Sequence, residues 1–367
     1  MKSVYIHIPF CSNICTYCDF SKMFYNEKYV DKYLEALEKE IKEKYKNEEI
    51  KTLYIGGGTP SSLNINQLEK LLNITNIFKK NKLEEFTIEC NPENLDEDKI
   101  KLFKKYNVSR ISLGVQTFNP KFLKYLNRMH DKEMIFNCIN LLKKYDLTNI
   151  NIDLIYALEG ETKNDLLEDI RIYKELEIPH ISTYSLIIEP NTILYNKNTQ
   201  NINEELDLEM YNLIIDNLKD YNHYEISNFA KKGYESKHNL VYWNNLEYYG
   251  FGMGASGYLD NVRYDNTRSF NKYINGEYIK EENKLSKNEI IENEFILGFR
   301  KLKGINIKDF SLKYGFDILE IKQIKNLIEE GKLINDGENI YISREYIYLS
   351  NDILIEFLGV NYELYYI

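Results

Sequence analysis

Cys11, Cys15 and Cys18 stand in a CxxxCxxC spacing just after the apolar run that ends at Pro9. Three thiolates on one loop can hold three corners of a [4Fe–4S] cube. A fourth cysteine would close the cluster as an electron carrier, whereas an iron without a protein ligand keeps a position open for a substrate or cofactor. The spacing is too tight for a disulfide framework in a chain of 367 residues, and the cysteine total of five is odd. Structural zinc is the alternative; it normally takes four ligands, and Asp19 and His7 lie near but at no usual zinc spacing. Cys90 neighbours Glu89 on a strand and should face the helices, and Cys138, with Ile135 and Leu142 on a helix, reads as core.

A loop of this kind needs a scaffold that presents it at one end of a sheet. Short β-branched and aromatic runs occur at Val4–Ile8, Thr52–Ile55, Phe86–Cys90, Arg110–Val115, Asn149–Ile155 and Ile181–Ile187. Segments of helical period lie between them, such as 27–46 with Tyr29, Tyr33, Leu34, Leu37 and Ile41 on one face, and 164–177 with Leu166, Leu167, Ile170 and Tyr173. Six βα units in series predict a parallel sheet, curved or closed as a barrel, with its chemistry beyond the carboxyl ends of the strands. After residue 190 the alternation stops: a helix over 203–220 precedes a loop-rich stretch with 237–245 and the glycine run Gly250-Phe-Gly-Met-Gly254. From about Ser286 the pattern is three helices punctuated by Gly304 and Gly315, two short strands near 332–335 and 339–343, and a last helix. The predicted units are 1–190, 191–285 and 286–367, the last resembling a winged helix.

Composition narrows the function classes. With 47 Lys plus Arg against 57 Asp plus Glu, the formal charge of -10 repels nucleic acid, and 286–367 alone carries 10 basic against 14 acidic residues. The appendage is therefore expected to be structural or partner-binding rather than a DNA reader. The 32 tyrosines reflect a general bias, so single aromatics carry little weight. The N-terminal apolar run is too short for a signal peptide, and no window reaches the ~18 apolar residues of a membrane span, so a cytoplasmic location is expected.

Residues 1–190 resemble the radical S-adenosylmethionine (SAM) enzymes, and Tyr5-Ile-His-Ile-Pro-Phe-Cys11-Ser-Asn-Ile-Cys15-Thr-Tyr-Cys18-Asp-Phe20 resembles the branch of oxygen-independent coproporphyrinogen III oxidases. Gly56-Gly-Gly-Thr-Pro60, Glu89, Gly114-Val-Gln116, Arg128 and Ile152-Asp153 follow successive strands in the same manner. The resemblance implies an α/β fold, a radical SAM (β/α)6 partial barrel with an α+β C-terminal region, a [4Fe–4S] cluster on Cys11, Cys15 and Cys18, and SAM beside it. Glycines after a strand let backbone approach a ligand, here the amino end of SAM at Gly57, Gly58 and Thr59. Glu89 and Asp153 can pair with ammonium, sulfonium or ribose hydroxyls, Arg128 can take a carboxylate, and Gln116 stands with them. Each alone could be an ordinary solvated strand-end residue; their recurrence after successive strands favours a site. By resemblance Tyr5 and Tyr17 would also line the SAM pocket, and His7, beside the cluster loop, could hydrogen-bond within it.

Two departures point within the branch. The oxidase has a further cysteine two positions after the third cluster ligand and a longer N-terminal arm; here Phe20 occupies that position and ten residues precede Cys11. Both resemble the HemW family of heme chaperones, as does Lys237-His238-Asn-Leu-Val-Tyr242-Trp243, which contains an HNxxYW pattern associated with heme binding. His238 could offer an imidazole to heme iron while Tyr242 and Trp243 supply flat apolar surface. The bland alternative is a loop histidine among packed aromatics. The resemblance implies heme as ligand and apo-hemoproteins of the respiratory chain as acceptors, and it allows peripheral membrane contact through those acceptors and a homodimer. Coproporphyrinogen III oxidation by radical SAM chemistry is the alternative function. His130, His180 and His223 read as structural.

Overall fold

The structure is a computed structural model that describes residues 1–365. Strands β1 (Lys2–Ile8), β2 (Ile50–Gly57), β3 (Glu85–Cys90), β4 (Arg110–Gln116), β5 (Ile150–Tyr156) and β6 (His180–Ser185) pair in parallel in sequence order. Parallel strands covered on both faces usually read as continuous apolar runs. These alternate instead. Val4, Ile6, Leu53, Ile55, Phe86, Ile88, Ile111, Leu113 and Ile152 form one row, fully buried in the main core. The other row is polar: Ser3, Tyr5 and His7, then Thr52 and Tyr54, Glu85, Thr87 and Glu89, Arg110 and Ser112, Asn151 and Asp153, His180 and Ser182. Successive side chains on a strand point to opposite faces, so the curved sheet encloses a polar lumen and turns its apolar face to the helices.

The helices that cover the sheet begin where short polar side chains cap them. Asn26 caps Glu27–Lys44, Asn64 caps Ile65–Ile74, Asp96 caps Glu97–Lys105, Asp131 caps Lys132–Lys144, and Thr162 forms a capping box with Asp165 on Lys163–Glu175. The first helix buries Val30, Tyr33, Leu34, Leu37 and Ile41, as its period requires; Tyr29, expected on that face, is exposed and lies 5.0 Å from Phe270.

The 191–285 stretch is not loop-rich. It adds strands to both edges of the sheet. β7 (Asn222–Glu225) and β8 (Asn228–Ala230) extend the β6 edge antiparallel, β9 (Tyr248–Phe251) lies parallel beside β1, and β10 (Ser256–Leu259), β11 (Val262–Asn266) and β12 (Ile279–Lys284) continue as an antiparallel ribbon. The glycine run is the reason β9 can sit there: a Cβ on Gly250 would fall 1.9 Å from Ser256 O, and one on Gly252, at φ +100°, 2.4 Å from His7 O.

The same stretch contains a short helix, Lys237–Trp243, capped by Ser236. The Glu85 carboxylate accepts from the backbone N–H groups of Lys237 (3.0 Å) and His238 (2.9 Å), and the Ser236 N–H donates to Tyr224 Oη at 3.1 Å. Glu85 opens β3 and Thr52, which touches His238, lies early in β2, so this helix plugs the amino end of the lumen, opposite the cysteine loop.

The C-terminal residues form the three helices and two short strands expected there, with a third short strand, Ile305–Asn306, that was not expected. Helices Lys287–Gly298, Ile307–Tyr314 and Lys322–Glu329 pack with a three-stranded antiparallel sheet of Ile305–Asn306, Asn339–Ile342 and Leu333–Asn335. Among the described residues no helix is long and apolar enough to cross a membrane.

Candidate functional site

The cysteine loop leaves β1 at Pro9 and folds over the carboxyl ends of β1 and β2. The Gly58 and Thr59 N–H groups donate to the Ile8 and Phe10 carbonyls, both at 2.8 Å, and Thr59 Oγ1 lies 3.6 Å from Cys11 Sγ. His7 ties down the far side: its Nε2 is 2.7 Å from Ser21 O and its Nδ1 3.0 Å from Tyr5 Oη. Burial lowers its pKa to about 4, so the ring is neutral, with Nε2–H donating to the carbonyl and Nδ1 accepting from the tyrosine.

A pocket of about 530 Å³ opens between this loop and the strand ends. Cys11, Cys15, Cys18, Tyr17, Gly57, Gly58, Thr59, Glu89, Gln116, Arg128 and Asp153 all line it. The pocket thus gathers the three loop cysteines and eight further residues singled out in the sequence; Cys90, expected to face the helices, is buried but also borders the pocket. Tyr5 does not line it; its hydroxyl is spent on His7, and its ring lies 6.0 Å from that of Tyr54. The glycines are needed for a reason other than ligand approach. A Cβ on Gly58 would meet Ile8 O, Phe10 O and Pro9 C at 2.9 Å, and one on Gly57, at φ +112°, the His7 ring at 2.5 Å. They let the cysteine loop dock on β2.

Arg128 is largely engaged within the protein. It donates to Cys15 Sγ at 3.1 Å, to Asn91 Oδ1 at 2.8 Å and to the Gly114 carbonyl, and only its buried Nε lacks a partner. A ligand carboxylate would have to displace one of these. Glu89 accepts from Tyr54 Oη at 2.7 Å and from the Gly57 N–H at 2.9 Å. Burial raises its pKa to about 7 against the pull of those two donors, and burial raises Asp153 as well. Glu89, poised in this way, gains charge when a cation enters. Asn91, Tyr54 and Ser112 also line the pocket without having been singled out; Tyr54 and Ser112 share the strand parity of Glu89 and Asp153, a signal open to sequence reading.

The structure does not bring His238, Tyr242 and Trp243 to this pocket. They lie on the plug helix at the opposite end of the lumen. His238 is 1% exposed; Nδ1 is 2.7 Å from Thr52 Oγ1 and Nε2 is 2.8 Å from Tyr242 Oη. Thr52 donates onward to Ser3 Oγ at 2.8 Å, which makes Nδ1 the protonated nitrogen and leaves the Nε2 lone pair occupied by the Tyr242 hydroxyl. Burial lowers the His238 pKa to about 3. Trp243 sits under the Arg300 guanidinium at 5.3 Å, its buried Nε1 without a partner. His130, His180 and His223 each hold a hydrogen bond to a carbonyl or side-chain oxygen, in keeping with structural roles.

Residues 5–172 match the radical SAM superfamily, and residues 285–349 the HemN C-terminal domain. A heme chaperone HemW from Lactococcus lactis subsp. lactis is 42% identical over 369 residues, with 97% of each chain covered. The chain belongs to the HemW family. A second member, from Bacillus subtilis, is 40% identical over 98% of this chain and 100% of its own, and a third, from Escherichia coli, 30% identical over 97% and 98%. Coproporphyrinogen III oxidase (HemN) from Escherichia coli, a radical SAM enzyme, superposes with a TM-score of 0.85 over 97% of this chain and 90% of its own at 22% identity, which shows a shared fold.

Membership in the radical SAM superfamily implies a [4Fe–4S] cluster and SAM, and the residues present fit both. Cys11, Cys15 and Cys18 all line the pocket, and three thiols from one loop are the donor set that three corners of a cube take. Burial pushes Cys11 up to about 12 and raises Cys18, so these thiols need a metal's charge to ionise. The same pocket is lined by the carboxyl groups of Glu89 and Asp153, which suit a cationic ligand, and by Arg128 with its unpartnered Nε.

Proposed function

We propose that this chain is a heme chaperone: it binds heme and delivers it to apo-hemoproteins, and it carries a [4Fe–4S] cluster on Cys11, Cys15 and Cys18 with SAM at the open iron. The observation that carries this reading is the likeness to HemW relatives along 97% of the chain. The polypeptide divides into a radical SAM core (1–190), an accessory region bearing the heme motif (191–285) and a winged-helix unit (286–367). Its acceptors are hemoproteins of the respiratory chain, its location is cytoplasmic, and it pairs as a homodimer.

A cluster held by Cys11, Cys15 and Cys18 would supply an iron with an open coordination position for SAM. The chain's own groups orient that ligand. Glu89 and Asp153 neutralise its positive end, Gln116 offers hydrogen bonds, Gly57, Gly58 and Thr59, whose N–H groups are taken by Glu89, Ile8 and Phe10, wall its amino end, Arg128 takes its carboxylate by giving up a contact to Cys15 or Asn91, and Tyr17 closes the wall. At the other end His238 supplies an imidazole to heme iron, with Tyr242 and Trp243 against the macrocycle. That ligation requires Tyr242 to release Nε2, so heme enters when the plug helix moves.

The test is heme titration of the reconstituted chain under anaerobic conditions. The reading expects a Soret band that shifts or is lost in His238→Gln while iron–sulfur absorption persists. Glutamine keeps hydrogen-bonding capacity toward Thr52 and Tyr242, so the loss would reflect the imidazole. Robust coproporphyrinogen III turnover with a heme spectrum indifferent to position 238 would overturn the reading in favour of the oxidase.

A further inference from the structure

The pocket at the carboxyl end of the lumen and the plug helix at the amino end share interior side chains. Tyr54 is the most direct. Its hydroxyl donates to Glu89 Oε1 at 2.7 Å, and its ring lies 5.1 Å from the His238 ring at 32°. A hydrogen-bond chain runs in parallel: Asn151 Nδ2 donates to Asp153 Oδ1 at 2.8 Å, Asn151 Oδ1 meets His180 Nδ1 at 2.5 Å, His180 Nε2 meets Tyr224 Oη at 2.8 Å, and that oxygen accepts from the Ser236 N–H at 3.1 Å. Ser236 is the cap of the plug helix. Both acids of the pocket are therefore wired to the segment that holds His238.

From this geometry we infer that Tyr54 is a positioning residue for both ends of the lumen, so that a cationic ligand seated on Glu89 and heme ligation by His238 oppose each other. The inference rests on the proposed heme reading and extends it. A cation beside Glu89 keeps the carboxylate ionised and turns the Tyr54 contact into a charge-assisted hydrogen bond, the stronger kind. Tyr54 is then held with its ring against His238, and the plug stays closed. Heme needs the opposite arrangement, because the lone pair that would meet iron is occupied by Tyr242 while the plug is in place. A ligand that favours one of two arrangements weakens a ligand that favours the other, and the effect is reciprocal.

The experiment measures heme dissociation constants for the cluster-loaded full chain with and without saturating SAM, and SAM constants with and without heme. The wild type should bind heme at least about 5-fold more weakly when SAM is present, the lower end of effects between coupled sites, with the same factor for SAM in the presence of heme. Tyr54→Phe keeps the ring and removes the hydroxyl, and its factor should collapse toward one. Thr52→Val releases His238 Nδ1 without touching the pocket and should tighten heme binding, which tests the plug even if Tyr54→Phe fails to fold. A wild-type factor near one, or an undiminished factor in Tyr54→Phe, overturns the inference. If the Soret band depends on His238 but not on SAM, only the coupling falls; if it is indifferent to His238, the heme reading falls and takes the coupling with it.

Discussion

Gly58→Ala isolates the docking of the cysteine loop from every other property of the site. A Cβ at this position would lie 2.9 Å from Ile8 O, Phe10 O and Pro9 C. Those are backbone atoms on the segment that leads into Cys11, and ordinary contact distance is about 3.5 Å, so the loop must retreat by roughly half an ångström. It cannot do so freely, because the Gly58 and Thr59 N–H groups hold the same carbonyls at 2.8 Å. Overpacking of this kind costs about 1–3 kcal/mol, and Gly58 is not in the left-handed region, so the cost is steric rather than conformational. Urea unfolding should report that loss, and iron and sulfide analysis after reconstitution should find fewer than the roughly four irons per chain of a complete cube. Gly233→Ala is the control: its φ is +89° but nothing lies within 4 Å, so it should carry a strain cost without loss of iron. Full iron content and unchanged stability in Gly58→Ala would refute the docking argument.

Glu89→Gln should change how stability varies with pH. The folded-state pKa of about 7 lies above the ordinary glutamate value of 4.5, so the folded chain binds that proton more tightly and the wild type loses stability as pH rises from about 4.5 to 7; the neutral variant lacks this component. Urea midpoints at pH 5.5 and 8 should therefore diverge in favour of the variant at the higher pH, and parallel behaviour would contradict the assignment. His238→Ala removes a fully packed ring and strands the hydroxyls of Thr52 and Tyr242, a loss of about 2–4 kcal/mol by denaturation. Glu85→Gln weakens the acceptor for two N–H groups of the plug helix, which should cost about 1–2 kcal/mol and raise amide exchange across 236–243.

The six βα units were legible because each strand carries apolar residues at alternate positions and the segments between them carry a helical period. The polar members of the same strands carried equal information. Thr52, Tyr54, Arg110, Ser112 and Asn151 share the parity of Glu89 and Asp153, and extending the alternation would have placed them in the lumen. The ribbon on the β1 edge was harder to read. Its last strand, Ile-Lys-Glu-Glu-Asn-Lys, is exposed throughout and carries no apolar period. One local sign was present: Asp260-Asn261, both at positive φ, is the two-residue turn that joins β10 to β11. The pocket residues followed from motif and strand position, but the burial of His238 did not. HNxxYW specifies residue types and spacing, whereas the plug depends on Glu85, about 150 positions earlier, reaching the helix N-terminus.

Heme transfer is the central claim, and one measurement reaches it directly. The chain, reconstituted with its cluster and loaded with one heme, is mixed anaerobically with a heme-free acceptor, and the Soret spectrum is followed while coproporphyrinogen III consumption is assayed in the same preparation. The account predicts that the acceptor gains its native heme spectrum, that His238→Gln donates little or none, and that coproporphyrinogen III is left unconverted. Retention of heme by the chain together with steady conversion of coproporphyrinogen III would contradict it.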